Sequence, residues 1–149
     1  MNVGEVLGVA AEGKNYSVVH AGEFSALDQV KTKSPGKVFL KRALGLTGME
    51  VSLNKIGPGQ SAPFAHQHKN NEELYICIKG SGQFQVDGDV IDLREGTVVR
   101  VAPGGTRAWR NNSNEDLYMI VIQAPQGSLE TWTGSDGIIV EGGVSWPEG

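Results

Sequence analysis

The chain has a single cysteine among its 149 residues, Cys77, so no disulfide can form within it. A lone thiol suits a reducing compartment, and the expected location is cytoplasmic. Basic charge is not in excess either: 13 Lys and Arg stand against 17 Asp and Glu, a formal net charge of −4. Nucleic acid is therefore not an expected partner, because such binding draws on clustered cations that neutralise phosphates. No apolar run approaches the roughly 20 residues that span a bilayer, so no membrane partner is expected. The opening MNVGEVLGVAAEGKNYS has no basic n-region, and its brief apolar patch is broken by Gly8, unlike a secretory signal. No nucleotide-cofactor motif occurs, and no repeat, low-complexity tract or charge run marks a second domain.

Glycine, by contrast, is abundant. Its 21 copies are about twice the ordinary share of roughly 7 %. Many glycines in a short chain mean many tight turns, which points to an all-β protein. Turn signals recur after Pro35-Gly36. KVFLKRALGL and MEVSLNKI read as strands, and the second is stopped by Gly57-Pro58-Gly59. ELYICIK ends at GSG. QFQV and DVIDL flank Asp87-Gly88, a two-residue type I′ hairpin signal. TVVRVA, TRAWRNNS and LYMIVIQ complete the set. Such spacing describes a sandwich or small barrel, with an N-terminal arm over 1–40, a core over 41–123, and a tail over 124–149. The tail carries Trp132 and Trp146 and is expected to pack on the barrel or on a partner subunit.

Strand alternation places candidate chemistry. Residues two apart share a face, so His66 and His68 should point the same way, about 7 Å apart along the backbone. In EELYICIK, Glu73, Tyr75 and Cys77 share one face, polar at one end and soft at the other, which suits the lining of a barrel interior, while Leu74, Ile76 and Ile78 form an aliphatic face that looks core-like. Two imidazoles and a carboxylate are the ligand types that hold iron, manganese, zinc or nickel. A His-x-His pair alone also occurs at solvated strand ends, so its context matters.

That context resembles the cupin superfamily. PGQSAPFAHQHKNNEELYICIKG is similar to the first cupin motif, G-x5-H-x-H-x3,4-E-x6-G, with His66, His68, Glu73 and Gly80 in the named places. Gly59 matches if the loop carries one extra residue. Glu72 also satisfies the shorter spacing from His68, but only Glu73 keeps six residues before Gly80. The second motif, G-x5-P-x-G-x2-H-x3-N, is met by GTVVRVAPGGTRAWRNN. Without gaps, Gly96, Gly104 and Asn111 match, while Ala102 stands for the proline and Arg107 for the histidine. A one-residue shift aligns Pro103, Gly105 and Asn112 but puts Ala108 in the histidine's place. The fourth ligand is absent in either register.

The resemblance spans roughly Met49 to Gln123. It implies a single-domain, all-β double-stranded β-helix, a jelly-roll barrel, often dimeric, with its site in the barrel mouth. It also implies His66, His68 and Glu73 as ligands of a divalent metal, with Arg107, Tyr75, Trp109 and Cys77 as candidate ligand-binding residues. Plainer roles stand beside these: Cys77 as a buried small hydrophobe, Tyr75 as a pocket wall, Trp109 as packing. His20 reads as a surface or loop residue, Arg100 and Arg110 as outer-face cations, and Asn111, Asn112 and Asn114 as turn formers. Two functions follow. One is a metal-dependent oxygenase or isomerase acting on a small acidic metabolite. The other is a metal-free or weakly metal-binding module for a small anion or sugar, in which a guanidinium grips the anion. A homodimer is expected through the aliphatic sheet face and the terminal segments.

Overall fold

The computed structural model describes residues 7–131 and 133–148. Trp132 and the first six residues lie outside them. Among the described residues ten strands form, most of them where branched and aromatic residues alternate with polar ones: β1 (Ala11–Glu12), β2 (Ser17–Val18), β3 (Lys37–Phe39), β4 (Glu50–Ile56), β5 (Asn71–Lys79), β6 (Gly82–Val86), β7 (Asp89–Leu93), β8 (Val98–Val101), β9 (Arg107–Arg110) and β10 (Leu117–Pro125). Five of them make an antiparallel sheet in the order β3-β4-β10-β5-β8, and three make a second in the order β7-β6-β9. The main core lies between the two, drawing Tyr75, Cys77, Val99, Val101, Leu117, Met119 and Val121 from the larger sheet or its edge and Phe84 and Leu93 from the smaller. Mostly β, with the core enclosed by two curved sheets, this is a double-stranded β-helix. Among the described residues no helix is long and apolar enough to cross a membrane.

The hairpin signal is realised: Asp87 and Gly88 take φ of 51° and 89° in the two-residue connection from β6 to β7. Gly80, which closes the first motif, sits at φ 91° with no room for a Cβ against the Asp116 carbonyl oxygen. Asn111 is 1 % exposed and acts as a staple. Its Nδ2 donates to the carbonyl oxygens of Ile56 (2.8 Å) and Glu115 (2.7 Å), fixing the turn before β10.

Three expectations need correcting. KVFLKRALGL is not one strand: β3 stops at Phe39, and a helical turn, α1 (Lys41–Leu44), follows. Lys, Arg, Ala and Leu are strong helix formers, and Gly45 ends the turn in the left-handed region at φ 71°. The aliphatic side of β5 is also not the core. Glu73, Tyr75 and Cys77 face the barrel interior, whereas Ile78 is 36 % exposed and Leu74 and Ile76 are half-buried. In a closed barrel the enclosed face is the one opposite the second sheet, whatever its polarity. Finally, His66 and His68 lie outside regular strands, on a segment joined to β9 by two isolated bridges, Ser61 with Arg110 and His66 with Arg107.

The N-terminal segment packs rather than trailing. A 3₁₀ turn over Phe24–Gln29 places Leu27, fully buried, with Val38 and Leu53 in a second small core. The tail does the opposite: Leu129, Ile138, Ile139, Val140, Val144 and Trp146 are all more than 70 % exposed.

Candidate metal and ligand site

Three elements deliver the site. Strand β5 is flanked on both sides, by β10 and β8, and carries Glu73 and Tyr75 inward. The bridged segment carries His66 and His68, held by paired hydrogen bonds of 3.0 Å between the backbones of His66 and Arg107. Strand β9 carries Arg107 and Trp109. One carboxylate oxygen, Oε1 of Glu73, gathers the side chains. Tyr75 Oη donates to it at 2.6 Å. His68 Nε2 lies 3.1 Å away, His66 Nε2 3.6 Å and Arg107 Nη1 3.6 Å. The two imidazole rings stand perpendicular, centroids 5.1 Å apart, and Trp109 meets His66 edge-on at 6.2 Å.

The donor set fits a divalent metal. His66, His68 and Glu73 offer ligand atoms that all lie within 4.8 Å of one another. Metal–ligand bonds of about 2.1 Å put neighbouring donors about 3.0–3.4 Å apart. The two histidine–glutamate separations, 3.6 and 3.1 Å, are near that range, while a separation as wide as 4.8 Å closes by more than ~1 Å on binding. His68 Nε2 is buried and makes no hydrogen bond, because its approach to Glu73, although short, has the wrong angle for N–H donation. A buried imidazole nitrogen without a partner is the kind of orphan that a metal ion satisfies. Burial also holds His66 below its ordinary imidazole value, favouring the neutral form that can coordinate.

Arg107 works against this fit. It is fully buried, and its one hydrogen bond runs from Nη2 to the Ala102 carbonyl oxygen at 2.8 Å. Nε and Nη1 are buried without hydrogen-bond partners. At 3.6 Å the Nη1–Glu73 contact is an ion pair too long for a hydrogen bond. The guanidinium lies beneath the site and does not open onto the cavity above.

That cavity, about 480 Å³, is walled by Phe39, Phe64, Trp109 and Val121 and bears Ser52 and Gln123 beside the triad. Its size is ordinary for a small-molecule site. Of the expected ligand-binding residues, Tyr75 and Trp109 line it, whereas Cys77 and Arg107 do not. Burial pushes the Tyr75 phenol well above its ordinary value, and the hydrogen bond to Glu73 adds to the shift, so it stays protonated as a donor. Cys77 is 1 % exposed in the core, and burial raises its thiol. His20 is exposed. Arg100 pairs with Glu72 at the surface, which leaves Glu73 alone at the triad.

Lys37 was not found by sequence reasoning. It stands in the cavity wall with its ammonium 5.3 Å from the Phe39 ring centroid and 5.4 Å from that of Trp109. The available signal was the alternation of KVF, which puts Lys37 and Phe39 on the side opposite buried Val38.

A double-stranded β-helix with two histidines and a glutamate converging at its mouth defines a class of protein, and comparison with known proteins agrees with it. The cupin domain family matches residues 52–123. A solved cupin protein from Bacteroides fragilis is 35 % identical, with 86 % of this chain and 99 % of that one covered at a TM-score of 0.73. The chain belongs to the cupin family. Among curated proteins, a 5-nitrosalicylic acid 1,2-dioxygenase of Bradyrhizobium sp is 28 % identical over 82 residues, 54 % of this chain and 39 % of that protein. An oxalate-binding protein of Thermotoga maritima is 28 % identical over 68 residues, 46 % of this chain and 55 % of that one. The chain thus spans about half or less of the length of these two relatives.

Proposed function

We propose that this chain is a metal-assisted cupin enzyme of the oxygenase or isomerase type that acts on a small acidic metabolite bound in the cavity. The observation that carries the reading is the convergence of three ligand atoms within 4.8 Å at the edge of a cavity of about 480 Å³. The names of the two curated relatives, which refer to nitrosalicylic acid and oxalate, support a small acid as the ligand. His66, His68 and Glu73 are the residues that hold the metal. Held by these three residues, a divalent ion would supply Lewis-acid polarisation of a carbonyl or, as iron, oxygen activation. The chain's own residues do the rest. Tyr75 stays protonated and orients the Glu73 carboxylate through its 2.6 Å hydrogen bond. Phe39, Trp109 and Val121 exclude water from the ligand's body, and Ser52 and Gln123 offer it hydrogen bonds.

The Arg107–Glu73 ion pair favours a second reading, a metal-free or weakly metal-binding module for a small anion or sugar, without catalysis. Metal content of the protein purified without added metal separates the two. Stoichiometric iron, manganese, zinc or nickel that disappears in His66→Ala and His68→Ala supports the enzyme. Full-length protein that takes up no divalent ion at millimolar concentration, with or without small carboxylic acids, overturns it.

A further inference from the structure

Among the described residues strand β3 pairs only with β4, and the register Lys37↔Asn54 and Phe39↔Ser52 puts Lys37 and Phe39 beside Ser52 in the cavity wall. The Lys37 ammonium rests near two aromatic faces, a contact that compensates only in part for lost hydration. Among the described residues no carboxylate lies within 4.0 Å of it, and none of its three N–H groups is donated. Glu50, also in the wall, is committed elsewhere: its Oε1 accepts from the backbone N–H of Lys41 (2.9 Å) and of Val51 (3.0 Å). A half-buried cation in a largely apolar cavity, with its donors unspent, is a poor stabilising feature and a good receptor for an anion. We infer that Lys37 anchors the carboxylate of the ligand, and that the cavity selects a monocarboxylate with a planar or apolar body.

Charge and shape both support that class. The carboxylate meets the ammonium between Phe39 and Trp109, and the body of the ligand lies along those rings and Val121 toward the histidines. Burial lowers the Lys37 ammonium from its ordinary value while Glu73 and Glu50 hold it up. A compact acid of three or four heavy atoms could satisfy Lys37 but would leave the aromatic wall uncovered. The inference deepens the proposed function by naming the ligand class, yet the anchor itself needs no metal.

The test is calorimetric titration of the full chain with benzoate, benzamide and acetate, both after chelator treatment and with Mn(II). Benzoate is expected to bind at least 10-fold more tightly than benzamide, which has its shape without its charge. It should also bind at least 10-fold more tightly than acetate, which has its charge without its body. Lys37→Met should reduce benzoate to the level of benzamide, and Lys37→Arg should stay within about threefold of wild type. Equal binding of benzoate and benzamide by the unmodified chain overturns the anchor, as does undiminished benzoate binding by Lys37→Met. Equal binding of benzoate and acetate overturns the apolar body. The comparison among the three ligands needs no variant, so a misfolded Lys37→Met leaves the test intact. If benzoate depends on Lys37 in chelated protein but Mn(II) never binds, the enzyme reading falls and the anchor stands. If Mn(II) binds through His66 while benzoate ignores Lys37, the anchor alone falls.

Discussion

Replacing Arg107 by histidine should convert a poor metal site into a good one. Arg107 Nη1 is 3.6 Å from Glu73 Oε1, so an ion coordinated by that oxygen falls roughly 4 Å from the guanidinium. At an effective dielectric near 20, a unit charge and a divalent ion at about 4 Å repel by about 8 kcal/mol. The guanidinium cannot shed its proton, and full burial between β9 and the Ala102 carbonyl limits how far it can swing. If rearrangement leaves only a quarter of that repulsion, about 2 kcal/mol remains, roughly 30-fold in Kd. Arg107→His also restores a fourth ligand, so its gain should exceed that of Arg107→Met, which removes the charge and adds no ligand. Titration of the three proteins with Mn(II), Fe(II) and Zn(II) measures both terms, with melting curves to verify that each variant folds. Wild-type protein that binds as tightly as Arg107→His refutes the reasoning, because the arginine then does not obstruct the ion.

The other predictions concern single groups. Alanine at His66 or His68 should abolish divalent-metal binding by calorimetry, whereas alanine at exposed His20 should leave it unchanged; equal loss at His20 would refute the ligand assignment. Tyr75→Phe deletes the 2.6 Å hydrogen bond to a buried carboxylate, a loss of about 1.5–3 kcal/mol, and should lower Tm by several degrees; an unchanged Tm argues against the carboxylate hub. Gly80→Ala meets both a φ of 91° and the Asp116 carbonyl, so urea denaturation should show a loss of about 2–4 kcal/mol. The partly uncovered β5–β8 face, with Ile78 and Val98 exposed, and the apolar tail motivate a homodimer. Light scattering should give twice the monomer mass at micromolar concentration, and a monomer there counts against it.

Much of the barrel was legible because its signals are local. Asp87-Gly88 names its own turn, and the strands from β4 to β10 alternate over enough residues to be found without knowing their neighbours. The triad was legible for a related reason. His66, His68 and Glu73 are carried by one continuous stretch, and motif spacing stands in for three-dimensional distance. Arg107 was legible as a substitution at a known place, but its depth was not: whether a cation pairs, swings out or lies beneath a cavity depends on packing from both sheets. Lys37 was hidden because β3 is three residues long and precedes the motifs, so only its pairing with β4 brings it to the cavity. The aliphatic side of β5 misled for the opposite reason. Leu74, Ile76 and Ile78 are as apolar as a core yet lie on the outer side, while the face of Glu73, Tyr75 and Cys77, expected as barrel lining, is the buried one.

The cavity is built from elements of unequal permanence. Glu73 belongs to β5, flanked by β10 and β8, while Lys37 belongs to β3, joined to the sheet by three residue pairs with β4 and, among the described residues, with no strand beyond. Strands at an edge open locally at lower free energy than strands in the middle. One wall is therefore expected to open more readily than the floor, which would put a door on the side of the cation. A ligand bridging Lys37 and the floor would latch that door, so its arrival should slow amide hydrogen exchange along Lys37–Phe39 while leaving the already protected amides of β5 unchanged. Occupancy of the barrel would then be written in the exchange rates of three residues at its margin.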